Sequence, residues 1–210
     1  MPLILIPVYI ALAAAAIYGV ESSRRILVMI TKPLATMLLI FIAGWPSSRL
    51  SWSISIGILL SFVGDIALLK DSKTAFIVGL GFFLLAHMSY VTGFLSVVGW
   101  SPSVLAYGTL IAAATALLLR RIWANTTGLR IPVVIYAIAL SSMAVSAFAT
   151  TSGILPPAAA RLAAAGGLLF YISDSSLAFD KFARPINHVE FLTMGIYWLG
   201  QLGIALASRG

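Results

Sequence analysis

Eight apolar runs of 18 to 23 residues follow one another along the chain, and the short segments between them hold the turn formers and nearly all of the charge. A helix needs about 20 apolar residues to cross the hydrocarbon core of a bilayer. Strands of a membrane barrel would alternate apolar and polar residues, whereas runs such as LAAAAIY are continuous. The pattern therefore predicts eight transmembrane helices, over residues 3–20, 26–44, 52–69, 75–97, 103–122, 131–149, 158–179 and 188–207.

The composition indicates the same class of protein. Of the 210 residues, 61% are hydrophobic and 9% are charged, against roughly a quarter charged in a soluble domain. The mean hydropathy is +1.07. Both the core and most of the exterior must therefore be apolar, as in an all-α integral membrane protein. No linker divides the chain, so we expect a single domain over residues 1–210. The absence of cysteine excludes thiol catalysis, disulfides and iron–sulfur ligation.

The basic residues predict the orientation. The first, third, fifth and seventh loops hold nine of the thirteen Lys and Arg residues, and the opposite side holds three. By the positive-inside rule the odd loops face the cytoplasm and both termini face outward. The first run has no basic residue ahead of it and Arg24 and Arg25 after it, so we expect a span rather than a cleaved signal peptide. The net charge of +7 then indicates orientation and contact with anionic lipid, and we expect no nucleic-acid binding.

Two segments in the third and seventh predicted helices are alike. LLSFVGDIALLKD (59–71) and LLFYISDSSLAFD (168–180) each place one Asp inside the membrane and a second Asp six residues later. A shift of 109 residues superimposes them, which predicts a parallel repeat of four plus four helices.

A few ionisable side chains lie inside the predicted spans, where each costs roughly 3 kcal/mol to insert and normally faces a protein interior or a water-filled cavity. Residues three or four apart on one helix share a face, and the polar neighbours of these side chains follow that spacing. The ionisable residues are Lys32, Asp65, His87 and Asp174, and the neighbours are Tyr90, Tyr171, Tyr197 and Gln201.

The orientation gives these residues a depth. Lys32, Asp65 and Asp174 each lie five to seven residues from the cytoplasmic end of their helices, which is roughly 8 to 10 Å at 1.5 Å per residue. His87 and Tyr197 lie nearer the bilayer midplane. We therefore expect one polar pocket that is built from several helices and opens toward the cytoplasm.

Structural roles are open for the same residues. The ammonium of Lys32 could snorkel to the interface, and the two aspartates could serve only in an ion pair with Lys32 or in a hydrogen bond to a tyrosine. His87 could be a packing residue. We expect His188, at the start of the last helix, to lie at the interface.

The residue types weigh against two hydrolase classes. A zinc site needs about three closely spaced ligands, and the two histidines, His87 and His188, lie at different predicted depths. The closest approach to a G-x-S-x-G nucleophile elbow is GWSPS (99–103), which ends in Ser and lies in an outer loop. Paired carboxylates with a histidine and tyrosines remain, which are suited to acid–base chemistry. Proton-coupled transporters carry the same groups, so a small proton- or cation-coupled transporter or sensor is an alternative.

Several short motifs occur in a fixed order. They are Lys32-Pro33, Gly64-Asp65, the set Phe83, His87 and Tyr90, the run YISDSSLA (171–178) with Phe182 after it, and Tyr197 with Gln201. In order and spacing these motifs resemble the YhhN-like lysoplasmalogenase family over nearly the whole chain. One departure is the segment SLAFDKF after Asp174, where the family would carry Asn or a similar residue near Asp180.

The resemblance implies an eight-span membrane hydrolase that cleaves the vinyl ether bond of lysoplasmalogens to a fatty aldehyde and glycerophosphoethanolamine or glycerophosphocholine. It implies a lysophospholipid substrate, no metal or organic cofactor and, in a bacterium, the inner membrane. We expect Asp65, Asp174 and His87 to be catalytic, with one Asp as general acid and the other stabilising an oxocarbenium ion. The residues expected to bind substrate or orient the pair are Lys32, Tyr90, Tyr171, Tyr197 and Gln201. A hydrolase of another lysophospholipid is a further alternative.

Overall fold

Over residues 2–210, which the computed structural model describes, the chain forms eight α-helices and no β-strand. They are α1 (Ile6–Glu21), α2 (Arg25–Ala43), α3 (Arg49–Ala67), α4 (Lys73–Phe94), α5 (Pro102–Ile122), α6 (Arg130–Ala149), α7 (Pro157–Phe182) and α8 (Val189–Ala207). The all-α prediction is confirmed, and each helix overlaps one predicted span.

Local sequence explains where several helices begin. The hydroxyl oxygens of Ser48 and Ser72 each accept a backbone N–H three residues later and so cap α3 and α4. Pro102 and Pro157 stand in the first turns of α5 and α7, where a missing N–H leaves no helical hydrogen bond unmade.

Seven of the helices within residues 2–210, α2 to α8, are long and apolar enough to cross a membrane. The remaining helix, α1, has 16 residues, and a 3-10 turn over Pro2–Leu5 leads directly into it. At the rises of the two helix types the pair extends about 32 Å, close to the roughly 30 Å of a hydrocarbon core. The chain is a multi-pass helical membrane protein.

The distribution of apolar and polar side chains in the bundle is that of a protein surrounded by lipid. Large apolar side chains such as Leu110, Leu117 and Ile131 are exposed on the outside. The interior packs further apolar side chains but also holds buried polar groups, among them Asp65 and Gln201. Interior polar groups on an otherwise apolar helix bundle are the usual mark of a functional cavity.

The most extensive helix contacts are those of α3 with α4 and of α7 with α8. α8 also contacts α1, α2 and α3, α4 packs against α6, and α5 packs against α6 and α7. Small residues bring α7 and α8 together, since a Cβ on Gly166 would lie 2.7 Å from the carbonyl oxygen of Gly200. The two extensive pairs would be equivalent in a four-plus-four repeat, which stays a prediction.

Candidate functional site

A cavity of about 140 Å³ lies among helices α2 to α8; we refer to it as the central cavity. Asp65 on α3 and Asp174 on α7 both line it, although 109 positions separate them in the chain. Much of the remaining wall is apolar. The other polar side chains in the lining are those of Lys32, Thr115, Tyr136, Tyr171, Ser173, Ser175, Lys181, Thr193 and Tyr197.

The carboxylate of Asp65 is surrounded by hydrogen-bond donors. The ammonium nitrogen of Lys32 lies 3.3 Å from Oδ1, and Oδ2 accepts hydrogen bonds from the hydroxyls of Thr36 at 2.6 Å and Tyr197 at 3.0 Å. Lys32 and Thr36 are one helical turn apart, so α2 presents both to the same carboxylate. The side chain of Asp65 is only 2% exposed, and two hydroxyl donors together with one cation are what a buried carboxylate anion requires.

A second row of buried side chains supports Tyr197 from behind the cavity wall. Gln201 Nε2 donates to the Tyr197 hydroxyl at 3.2 Å, and the Tyr90 hydroxyl donates to Gln201 Oε1 at 2.7 Å. Tyr90 and Gln201 are fully buried and do not line the cavity. They therefore act on Asp65 only through Tyr197.

Asp174 has a different environment. Its Oδ2 accepts a hydrogen bond from the hydroxyl of Tyr136 on α6, and Nε2 of His87 lies 3.4 Å from the same oxygen and 3.1 Å from the Tyr136 hydroxyl. Within the described residues its other oxygen, Oδ1, makes no hydrogen bond. Its side chain is 14% exposed, so Asp174 is the more accessible of the two aspartates.

His87 is fully buried, and its Nδ1 has no hydrogen-bond partner among the described residues. The other ring nitrogen, Nε2, faces the Tyr136 hydroxyl oxygen and Asp174 Oδ2. Since Tyr136 donates its own proton to Asp174, Nε2 is placed to donate toward both oxygens.

Tyr171 lies on another part of the cavity wall. Its hydroxyl is 2.8 Å from Thr115 Oγ1, which is in turn 2.8 Å from Ser141 Oγ. Tyr171 therefore belongs to a hydroxyl cluster between α5, α6 and α7, and it contacts neither aspartate by a hydrogen bond.

The central cavity extends from the aspartates toward the side of the bundle that holds the odd-numbered loops. The start of α4, the end of α5, the start of α6 and the end of α7 lie on this side. Phe76, Ile122, Lys181 and Phe182 line it there; we call this end the mouth. The Lys181 ammonium lies 4.1 Å from the centre of the Phe76 ring, and the Phe76 and Phe182 rings meet edge to face. The positive-inside prediction assigns this end to the cytoplasm, and that orientation stays a prediction.

The structure brings together most of the predicted site residues, either in the cavity lining or directly behind it. Lys32, Asp65, Tyr171, Asp174 and Tyr197 line the cavity. His87, Tyr90 and Gln201 lie behind it and reach it through hydrogen bonds. His188 lies outside it, where its exposed ring pairs with Glu21 at 3.0 Å, and its place at the membrane interface stays a prediction.

Sequence reasoning missed Thr36, Tyr136 and Thr115. A signal existed for two of them: Thr36 is four residues from Lys32, and Tyr136 lies six residues after Arg130, the depth predicted for Lys32. Among the described residues, no three His, Asp or Glu side chains converge in a way that would hold a metal ion.

Comparison with known proteins adds the family context. The model of the YhhN family matches residues 27–208. Lysoplasmalogenase TMEM86A of Bos taurus is 32% identical over 160 residues, which cover 74% of this chain and 64% of that protein. The Homo sapiens proteins lysoplasmalogenase TMEM86A and TMEM86B are each 30% identical, over 80% and 78% of this chain and 68% and 66% of their own length. The chain thus spans about two thirds of these relatives. No solved structure matches it.

Proposed function

Because the chain belongs to the YhhN family, we propose that it hydrolyses the vinyl ether bond of lysoplasmalogens and releases a fatty aldehyde and glycerophosphoethanolamine or glycerophosphocholine. The observation that carries the proposal is that Asp65 and Asp174 line one cavity inside the bundle. The names of the relatives, lysoplasmalogenases of about 30% identity, support the same reaction.

Vinyl ether hydrolysis needs an acid and a nearby anion. A proton moves to the vinyl carbon distal to the ether oxygen, which leaves an oxocarbenium ion. Water then adds to the carbon bonded to oxygen, and the hemiacetal collapses to an aldehyde and an alcohol, so that one water is consumed in total. Paired carboxylates perform comparable work on oxocarbenium-like transition states in glycoside hydrolysis.

The contacts of the two aspartates support a division of roles. Both carboxylate oxygens of Asp65 have a partner, and one of these partners is the Lys32 ammonium. Asp65 is therefore the anion that stabilises the oxocarbenium ion. Asp174 accepts the Tyr136 hydroxyl on Oδ2, which leaves Oδ1 to carry the proton. In this scheme Asp174 protonates the vinyl carbon and later takes the proton of the attacking water.

The remaining residues position this pair. Lys32 pairs with the Asp65 carboxylate rather than with the substrate phosphate, and Tyr197, held by Gln201 and Tyr90, fixes that carboxylate. His87 and Tyr136 orient Asp174. Tyr171 lines the wall beside the substrate.

The finer architecture belongs to the same proposal. The mouth would face the cytoplasm, because it lies on the side of the basic loops, and the substrate would enter from the cytoplasmic leaflet. In a bacterium the membrane would be the inner membrane. The four-plus-four repeat would relate Asp65 to Asp174, which stand at equivalent positions of α3 and α7.

The test is aldehyde release by purified protein in detergent. Asp65→Asn and Asp174→Asn should each fold, judged by an unchanged elution profile, and should lose at least about 100-fold in turnover. Asp71→Asn, on an exposed residue outside the cavity, is the matched control and should keep wild-type turnover.

Near-wild-type turnover in both cavity variants would remove the proposed chemistry. A panel of lysolipids with and without the vinyl ether identifies the bond that is cleaved. Because detergent solution carries no transmembrane gradient, aldehyde release there also separates an enzyme from a transporter, which would leave its substrate intact.

A further inference from the structure

Two lysines line the central cavity, and they differ in their partners. Lys32 is paired with Asp65 at 3.3 Å, so its charge is already balanced. Lys181, at the mouth, has no carboxylate within ion-pair distance among the described residues, and its ammonium lies over the Phe76 ring at 4.1 Å. A cation over an aromatic face keeps its N–H groups free to donate. Lys181 is therefore the cavity cation that is available to an anionic ligand.

The spacing of Lys181 from Asp174 fits the length of a lysophospholipid. Both residues lie on α7, seven positions apart, which puts them on one face of the helix and about 10 Å apart along its axis. In a lysoplasmalogen, seven bonds separate the protonated vinyl carbon from the phosphorus atom, or roughly 8 Å when extended, at the reach per bond of a polypeptide backbone. A phosphate at Lys181 would thus place the vinyl ether at Asp174.

We propose that Lys181 binds the phosphate group of the substrate at the mouth of the cavity and that Phe76 holds the lysine in place. The proposal rests on the proposed lysoplasmalogen hydrolysis and makes Lys181 a specificity-determining residue for phosphorylated alkenylglycerols. Nearby Asp180 forms no ion pair with this ammonium within the described residues, and its Oδ1 accepts the backbone N–H of Ile186 at 2.8 Å.

The experiment compares two substrates, a 1-alkenyl-glycerophosphoethanolamine and the corresponding 1-alkenylglycerol without phosphate. Lys181→Gln should raise KM for the phospholipid about tenfold or more, the worth of a charge-assisted hydrogen bond, with kcat nearly unchanged. It should leave the kinetics of the phosphate-free substrate as in the wild type. Lys181→Arg should retain most of the phospholipid affinity.

Arg184→Gln is the matched control, since Arg184 also stacks on an aromatic ring in the same region, that of Phe179, but lies outside the cavity lining. It should leave KM unchanged for both substrates. An equal KM rise for both substrates in Lys181→Gln, or no rise for either, overturns the proposal.

Binding of the saturated 1-alkyl lysophospholipid, which has no cleavable vinyl ether, keeps the two proposals separate. If the wild type cleaves neither substrate, the hydrolysis proposal fails, and a loss of affinity for the alkyl analogue in Lys181→Gln still supports the phosphate site. If cleavage proceeds and that affinity is unchanged, only the phosphate site fails.

Discussion

Tyr136 provides the hydroxyl that stands between His87 and the carboxylate of Asp174. It donates to Asp174 Oδ2 and lies 3.1 Å from His87 Nε2. If the hydroxyl directs the proton of Asp174 to Oδ1, its removal frees Oδ2 to carry that proton away from the substrate. Tyr136→Phe should then lower kcat for aldehyde release about tenfold or more, shift the pH profile of kcat, and leave KM within about twofold.

The control for Tyr136 is Tyr107, a tyrosine on α5 whose buried hydroxyl has no hydrogen-bond partner among the described residues. Its ring stacks on Phe148, outside the cavity lining. Tyr107→Phe should leave kcat, KM and the pH profile unchanged. Equal kinetic parameters for Tyr136→Phe and the wild type would contradict the positioning role.

The sequence allowed site residues to be predicted where their insertion into lipid costs free energy. Asp65 and Asp174 stand out because an ionisable group in an apolar run needs a partner or a cavity. Tyr136 and Thr36 carry only the weaker signals of depth and of spacing from Lys32, since tyrosine and threonine are tolerated in membrane helices for many reasons. Their roles depend on which carboxylate the fold brings to them, and that is a tertiary property.

At the scale of helices, α3 and α4 pack so closely that a single added methyl group should disturb the site. A Cβ on Gly57 would lie 2.2 Å from Cε1 of the Tyr90 ring, and the hydroxyl of Tyr90 supports Gln201 and, through it, Tyr197. Gly57→Ala should displace Tyr90 and loosen this chain of hydrogen bonds. We expect a lower thermal midpoint and a severalfold loss of turnover, measured on the purified protein.

Gly81 on α4 is the matched glycine. A Cβ there meets no atom within 4 Å, so Gly81→Ala adds only helix propensity, worth up to about 1 kcal/mol. Its thermal midpoint should be equal to or above that of the wild type, with unchanged turnover. If the two alanine variants behave alike, the packing of Gly57 against Tyr90 does not support the site.

The helices themselves were largely predictable, because length and continuous hydropathy leave few alternatives in a membrane. The residues at which the helices begin and end were less predictable. α7 runs to Phe182, beyond the predicted end at residue 179, because Asp180 and Lys181 continue the backbone hydrogen bonds after the apolar run has stopped. Hydropathy locates the bilayer, whereas the helix ends where its hydrogen bonds end.

For the whole molecule, the sequence predicted a pocket from depth alone, and depth does not say which helices are neighbours. Lys32 and Asp65 could be placed at one level, but that α6 supplies Tyr136, and that Tyr197 of α8 donates to Asp65, follows from packing. The contacts that decide this, such as α4 with α6 and α2 with α8, join helices that are distant in the chain and leave no periodic signal in it.

Orientation is the prediction that decides which leaflet supplies the substrate. Nine of thirteen basic residues lie on one side, so the loop between α5 and α6 should be cytoplasmic and the loop between α6 and α7 external. The chain has no cysteine, so a single introduced thiol reports its own location. Ile154→Cys, at a position 81% exposed, should react with a membrane-impermeant maleimide in intact cells, and Thr127→Cys, also exposed, only after permeabilisation. The reverse pattern would turn the mouth outward, since Ile122 and Val133 of the cavity lining flank the α5–α6 loop, and the substrate would then have to come from the outer leaflet.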